Sequence, residues 1–237
     1  MPGYTRRQLK EDKFAETAQD AAEWASSHTK LILVTVGAVL VVVLAVAGFF
    51  AWHTRQTEQS NLQLAAAMRT YESPLTPAGT PPPQGETGPT FSTIADRSKA
   101  AQKQFAAVAD NYSLVSAGKI ARYMSGMAFI EAGDKSGAEQ ELKKAADFSD
   151  KDVAAMAKMA LASLYRDSNR NSDAVALYKD LSDHPTATVS KAAAELGLAS
   201  IYEKTDPQEA QRIYQQVQKD DPQGPAAQIA AQKLSKK

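Results

Sequence analysis

Three segments of the chain repeat one pattern at intervals of 36 and 37 residues, measured from Phe129 to Tyr165 and from Tyr165 to Tyr202. They are "ARYMSGMAFIEAGDKSGAEQELKKAAD" from Ala121, "AKMALASLYRDSNRNSDAVALYKDLSDHP" from Ala157 and "AAELGLASIYEKTDPQEAQRIYQQVQKDDP" from Ala193. In each, a small residue (Gly126, Ala162, Ala199) stands three positions before an aromatic one (Phe129, Tyr165, Tyr202). A polar turn follows and leads to Ala138, Ala174 and Ala210, and four residues later come Leu142, Tyr178 and Tyr214. Steps of three and four place residues on one helical face, so each segment is predicted to be helix, turn, helix. The small residues let the two helices approach, and the aromatics fill the space beside them. In "TDPQEA", Asp206 as N-cap, Pro207 at the first helical position and Glu209 two further on form a strong helix start. "NSDA" predicts a cap for a helix beginning near Asp173.

A fourth unit precedes these three. "SKAAQKQFAAVADNY" places Ala101, Phe105 and Val108 as a second helix, with "TEQSNLQLAAAMRTYES" as its first. Between them Ser73–Thr90 holds six prolines and three glycines in 18 residues. That composition cannot continue a helix and predicts a disordered or polyproline-like insertion at 73–90. Pro81-Pro82-Pro83 could serve as a docking motif; no basic residue flanks the run, which favours an inert insertion. At the other end, Ala226–Leu234 is predicted to be a polar capping helix, as stacked repeats require. The expected fold class is all-α, with an α-solenoid of about four repeats.

In front of the repeats, "LILVTVGAVLVVVLAVAGFFAW", Leu31 to Trp52, runs 22 residues without a charge. As a helix it spans about 33 Å, enough for a hydrocarbon core of about 30 Å. Fourteen of its residues are Leu, Ile, Val or Phe, which favours insertion by roughly 4 to 8 kcal/mol. Phe49, Phe50 and Trp52 stand at the far end, where aromatic rings prefer the membrane interface. A buried soluble helix rarely runs so long without a polar face. A signal peptide cleaved after "AVA", Ala45 to Ala47, would need a shorter and less acidic leader, and the apolar run continues past that point. The expected organisation is therefore a cytoplasmic helical tail at 1–30, a transmembrane helix at 31–52 and an extracytoplasmic repeat domain at 53–237. Arg6, Arg7, Lys10, Lys13 and Lys30 precede the span, whereas Arg55 and Arg69 alone follow it within about 17 residues, which sets that orientation. In a bacterium the chain would sit in the inner membrane with its C-terminal domain in the periplasm. Within the tail, Phe14, Ala18, Ala21 and Ala25, with Trp24 beside them, predict an amphipathic helix on the cytoplasmic leaflet or a solvated helical tail.

Composition excludes several classes. The 27 basic and 27 acidic residues balance, so no electrostatic footprint for nucleic acid exists. Without cysteine there are no disulfides or thiolate metal sites. His28, His53 and His184 are far apart in sequence, and no metal site is expected. Phosphate-binding, dinucleotide, nucleophile-elbow and zinc motifs are absent. Ser116 to Lys119 fits the S-x-x-K string of penicillin-interacting enzymes but lacks its companion motifs. The chain reads as non-catalytic, with no cofactor, and as a binder of proteins.

The repeats resemble the tetratricopeptide repeat, whose helix A carries a small residue and then an aromatic and whose helix B carries alanine, then a large apolar residue, often ending near proline. His184-Pro185 and Asp221-Pro222 fit that last position; the helix A tryptophan is missing and the period is slightly long. The resemblance implies partner binding on a concave wall built from helices A. Its inward positions fall on Ile120, Tyr123, Met127 and Ile130, then on Met156, Met159, Ser163 and Arg166, then on Leu196, Ser200 and Glu203. The lysine and asparagine of the carboxylate-clamp subclass are not at these positions, and Tyr, Met and Ile stand there instead; methionine adapts to varied apolar partners. The layout as a whole, including the junction "EWASSHTKLIL", resembles the ancillary subunit of the bacterial SecYEG translocon. The Pro-rich insertion departs from that family's pattern. The resemblance implies translocon components, a periplasmic chaperone or prolyl isomerase, and exported client chains as partners. The alternative is an envelope scaffold in cell-wall synthesis, division or outer-membrane assembly.

Overall fold

A computed structural model describes residues 19, 23–76 and 88–235. Apart from one isolated bridge, between Leu75 and Phe91, the regular structure of the described residues is helical. The chain divides into two units, Met1–Arg55 and Gln56–Lys237.

In the first unit, residues 23–27 are helical and Trp24 stacks on His28. The rest of the expected amphipathic tail, Phe14, Ala18 and Ala21 included, lies outside the described residues. Helix α1, Thr29–Glu72, is long and apolar enough in its first half to cross a membrane. Leu33, Val34, Val41 and Leu44 of that half are all exposed. The sequence predicts a span and a separate first repeat helix; the structure has one helix of 44 residues through both. The reason is local. No proline interrupts residues 53–60, and Thr54 does not cap a new helix, because its hydroxyl donates back to the Phe50 carbonyl at 2.9 Å.

The second unit contains the last part of α1 and the paired helices α2 (Ile94–Asn111), α3 (Ser116–Glu131), α4 (Lys135–Ala146), α5 (Lys151–Arg166), α6 (Asn171–Asp183), α7 (Lys191–Thr205), α8 (Pro207–Asp220) and α9 (Pro225–Ser235). Each helix from α2 onward packs on the next, and α3 touches α5, α5 touches α7 and α7 touches α9. Helices A of neighbouring repeats thus form one wall. Starts are set by side chains: Thr93, Asp134, Asp150, Ser190 and Asp206 each accept a backbone N–H from the first turn. The start of α6 differs from the expectation at "NSDA". Asn169 adopts a left-handed φ of 58° and the Arg170 N–H closes onto the Tyr165 carbonyl at 2.8 Å, so the helix begins at Asn171 with no side-chain cap. The Arg170 guanidinium instead lies 3.9 Å over the Tyr165 ring.

The core confirms the repeat register. Ala138, Leu142, Ala174, Tyr178, Ala210 and Tyr214 are buried in one cluster with Ala162, Tyr165 and Ala199. A Cβ on Gly126 would come within 2.7 Å of the Leu142 side chain, so α3 and α4 can approach this closely only with glycine there. In the first repeat Phe105 and Val108 pack with Ala67, and Tyr71 meets Phe105 edge-on. The insertion is tied at its base: the Thr76 N–H donates to the Phe91 carbonyl at 2.8 Å, and Arg97 donates to the Ser73 carbonyl at 3.1 Å. Arg97 also pairs with Glu131 at 2.8 Å. The ends of the stretch 73–90 are therefore ordered by pairing that its composition does not advertise. Residues 77–87, with Pro81-Pro82-Pro83, lie outside the described residues.

Candidate protein-docking groove

Met156, Met159, Ser163 and Arg166 follow one another at steps of three and four, so one face of α5 presents all of them in a row. Tyr123 and Met127 on α3 and Leu196 and Ser200 on α7 do the same at steps of four. Because α5 touches both α3 and α7, the three rows meet, and they line a groove of about 700 Å3. Its floor is Tyr178 of α6, with Tyr214 of α8 beside it, and both are buried. Gly197 is required there, since a Cβ would collide with the Tyr178 ring.

The expected inward positions divide. Tyr123, Met127, Met156, Met159, Ser163, Arg166, Leu196 and Ser200 line the groove; Ile120, Ile130 and Glu203 do not. Ile130 packs against the central core instead. Glu203 acts from outside: it accepts the Tyr214 hydroxyl at 2.9 Å and pairs with Lys233 at 2.9 Å. Burial opposes its ionisation, but the bonds from Lys233 and Tyr214 outweigh that and hold its pKa below the usual carboxylate range. Met159 both lines the groove and packs against the core, so wall and core are continuous here.

Some lining residues were not legible as such in the sequence because they come from outside the repeat helices A and B. Thr188 and Val189 come from the turn before α7, and Ile229 and Lys233 from the terminal helix α9. Val189 is buried against Ala155, Leu181 and Ala194, which fixes that turn against the wall. The only sequence signal for α9 was its capping composition, which says nothing of which way Ile229 faces; it is 48% exposed.

The groove is apolar with sparse polarity. Burial raises the pKa of Tyr123 and Tyr178, so both rings stay neutral at physiological pH. Its charged lining residues are Arg166 and Lys233. Arg166 spans two repeats: it donates to Ser163 Oγ on its own helix at 2.9 Å and to Ser200 Oγ on α7 at 3.3 Å. Such a surface can hold apolar side chains and donate hydrogen bonds. Among the described residues no group of three or more His, Asp or Glu side chains could hold a metal ion.

A family model described as a tetratricopeptide repeat-like domain matches residues 22–236. No curated protein and no solved structure matches the chain.

Proposed function

The chain belongs to the tetratricopeptide repeat-like domain family, and from that premise we propose that it is a non-catalytic, membrane-tethered protein that holds segments of other proteins in the groove of α3, α5 and α7. The observation that carries this reading is the continuity of the groove across three repeats, with an apolar floor and adaptable methionines on its wall. The apolar half of α1 serves as the anchor. Five cations before it and two after it favour a cytoplasmic N-terminus and an extracytoplasmic repeat domain, residues 53–237. In that position the groove meets exported chains as they emerge, and the reading is that of a translocon accessory assisting Sec-dependent export or folding. Tethering raises the local concentration of the groove, so weak individual binding suffices.

Crosslinking in native bacterial membranes followed by co-purification tests this. Translocon components and exported chains are the expected partners. Recovery of division or cell-wall synthesis proteins in their place would replace this reading with that of an envelope scaffold. An export-dependent reporter fused after Lys237 is expected to be active; an inactive reporter on an inserted chain would overturn the orientation.

A further inference from the structure

The groove does not end at its apolar floor. Arg166 and Ser200 also line a polar recess of about 330 Å3, together with Asp167, Asn169, Asn171 and Lys204. The recess is formed by the turn between α5 and α6 and by the end of α7. Across the groove and the recess the charged lining residues are Arg166, Lys204 and Lys233 against Asp167 alone, although the chain as a whole carries 27 basic and 27 acidic residues. The groove proper has no carboxylate in its lining.

These charges differ in how far they are committed. Lys233 is taken by Glu203, and Asp167 is taken by the Arg166 Nε at 3.0 Å. Among the described residues, the two terminal nitrogens of Arg166 hydrogen-bond to the serine hydroxyls of Ser163 and Ser200. Lys204 is exposed, has no salt-bridge partner within 4 Å among the described residues, and interacts with the neighbouring Glu203 only through its charge. A carboxylate in the recess would replace weak neutral acceptors on Arg166 with a bidentate, charge-assisted one and gain Lys204 as a second cation. The serine hydroxyls would turn to water at little cost.

We propose that the occupant of the groove is a protein segment in which apolar side chains are followed by an aspartate or glutamate, whose side-chain carboxylate enters the recess beside Arg166 and Lys204. This rests on the groove reading given above. It makes acidity next to apolar residues the selective feature, rather than hydrophobicity alone.

Fluorescence anisotropy on the full chain in detergent micelles tests it. The probe is a labelled, C-terminally amidated peptide of alternating leucine and alanine with one glutamate near its end, beside a twin with glutamine in that place. At low salt the glutamate peptide is expected to bind about three- to fivefold more tightly, the upper part of the range for an accessible charge pair. Lys204→Gln is expected to reduce that preference to less than about twofold, with circular dichroism reporting its fold; Lys219→Gln, outside the recess, is expected to keep it. Equal binding of the two peptides by the wild type would overturn the acidic preference and leave the groove reading standing. Retention of the full preference by the Lys204 variant would overturn the assignment to the recess. Failure of both peptides to bind would overturn the groove reading itself.

Discussion

Helix α5 has two faces that treat charge in opposite ways. On the face toward the α5–α6 turn, Tyr165 donates its hydroxyl to Glu139 Oε1 at 3.0 Å while Arg170 covers its ring and reaches Glu139 Oε2 at 2.8 Å. Lys143 and Asp173 complete the set, at 2.7 Å from Glu139 and from Arg170. Every charge there has a partner of opposite sign, and the Arg170–Glu139 pair crosses from one repeat to the next. On the groove face the same helix carries methionines and Arg166, whose terminal nitrogens meet no carboxylate. Paired charge holds repeats in register; sparse, under-committed charge over an apolar floor leaves a surface ready for a ligand. The two faces should therefore answer mutation differently, the packed side in stability and the groove in binding.

The largest effect belongs to the packed core. Leu142 is fully buried against Gly126, where the helices are closest. Leu142→Ala is expected to cost about 2–5 kcal/mol, read by denaturant unfolding of the full chain in detergent. A loss below about 1 kcal/mol would mean that this contact does not set the repeat packing.

On the groove face the expectation reverses. Met127 lines the groove and is half-exposed. Met127→Glu is expected to weaken crosslinking to an unfolded exported protein about fivefold, because the carboxylate must be desolvated against an apolar ligand. Its melting temperature should stay within about 3 °C of wild type, since a half-exposed side chain can turn to water. An unfolded variant would place Met127 in the core and erase the contrast.

Acid sharpens the comparison. The bond from Lys143, with help from Arg170 and Tyr165 and against a smaller cost of burial, holds the Glu139 pKa down at about 2. A depressed carboxylate contributes stability that is complete above its unfolded pKa and fades as pH falls through the folded one. The wild-type advantage over Glu139→Gln is thus expected to be full at pH 6 and to shrink between about pH 4.3 and pH 2, read by urea unfolding across that range. An advantage constant with pH would mean that the network is not electrostatic.

The smallest effect is expected from the insertion. Replacing residues 77–87 by a short glycine–serine link, with Leu75, Thr76 and Phe91 kept, should move the melting temperature by less than about 3 °C, because a proline- and glycine-rich segment offers little core and a shorter loop closes at lower entropy cost. A larger fall would show that the segment packs.

What the sequence disclosed follows the same division. The register that aligns Gly126 with Ala162 and Phe129 with Tyr165 was readable because packing demands residue size at fixed spacing, and eight of the inward positions it gives on helices A line the groove. What it could not disclose depends on partners distant in the chain. Glu203 matches an inward position by spacing, yet it does not line the groove and instead bonds from behind to two residues that do, Tyr214 and Lys233. Thr188, Val189, Ile229 and Lys233 join the groove through the path of a turn and the docking of α9, neither of which has a local period. The unbroken run of α1 was hidden by a change of composition near His53 that resembles a boundary, although nothing there stops a helix. The pairing of Leu75 with Phe91 was masked by the prolines around it.

The central claim is that proteins dock in the groove and not on the charged packing face. Site-specific photocrosslinking in native membranes tests it most directly, with the probe placed in turn at Met127, at Met156 and at Lys143, which is exposed on α4 outside the groove. The account predicts crosslinks to exported chains from Met127 and Met156 and none above background from Lys143. Crosslinks of equal yield from all three positions, or from Lys143 alone, would contradict it.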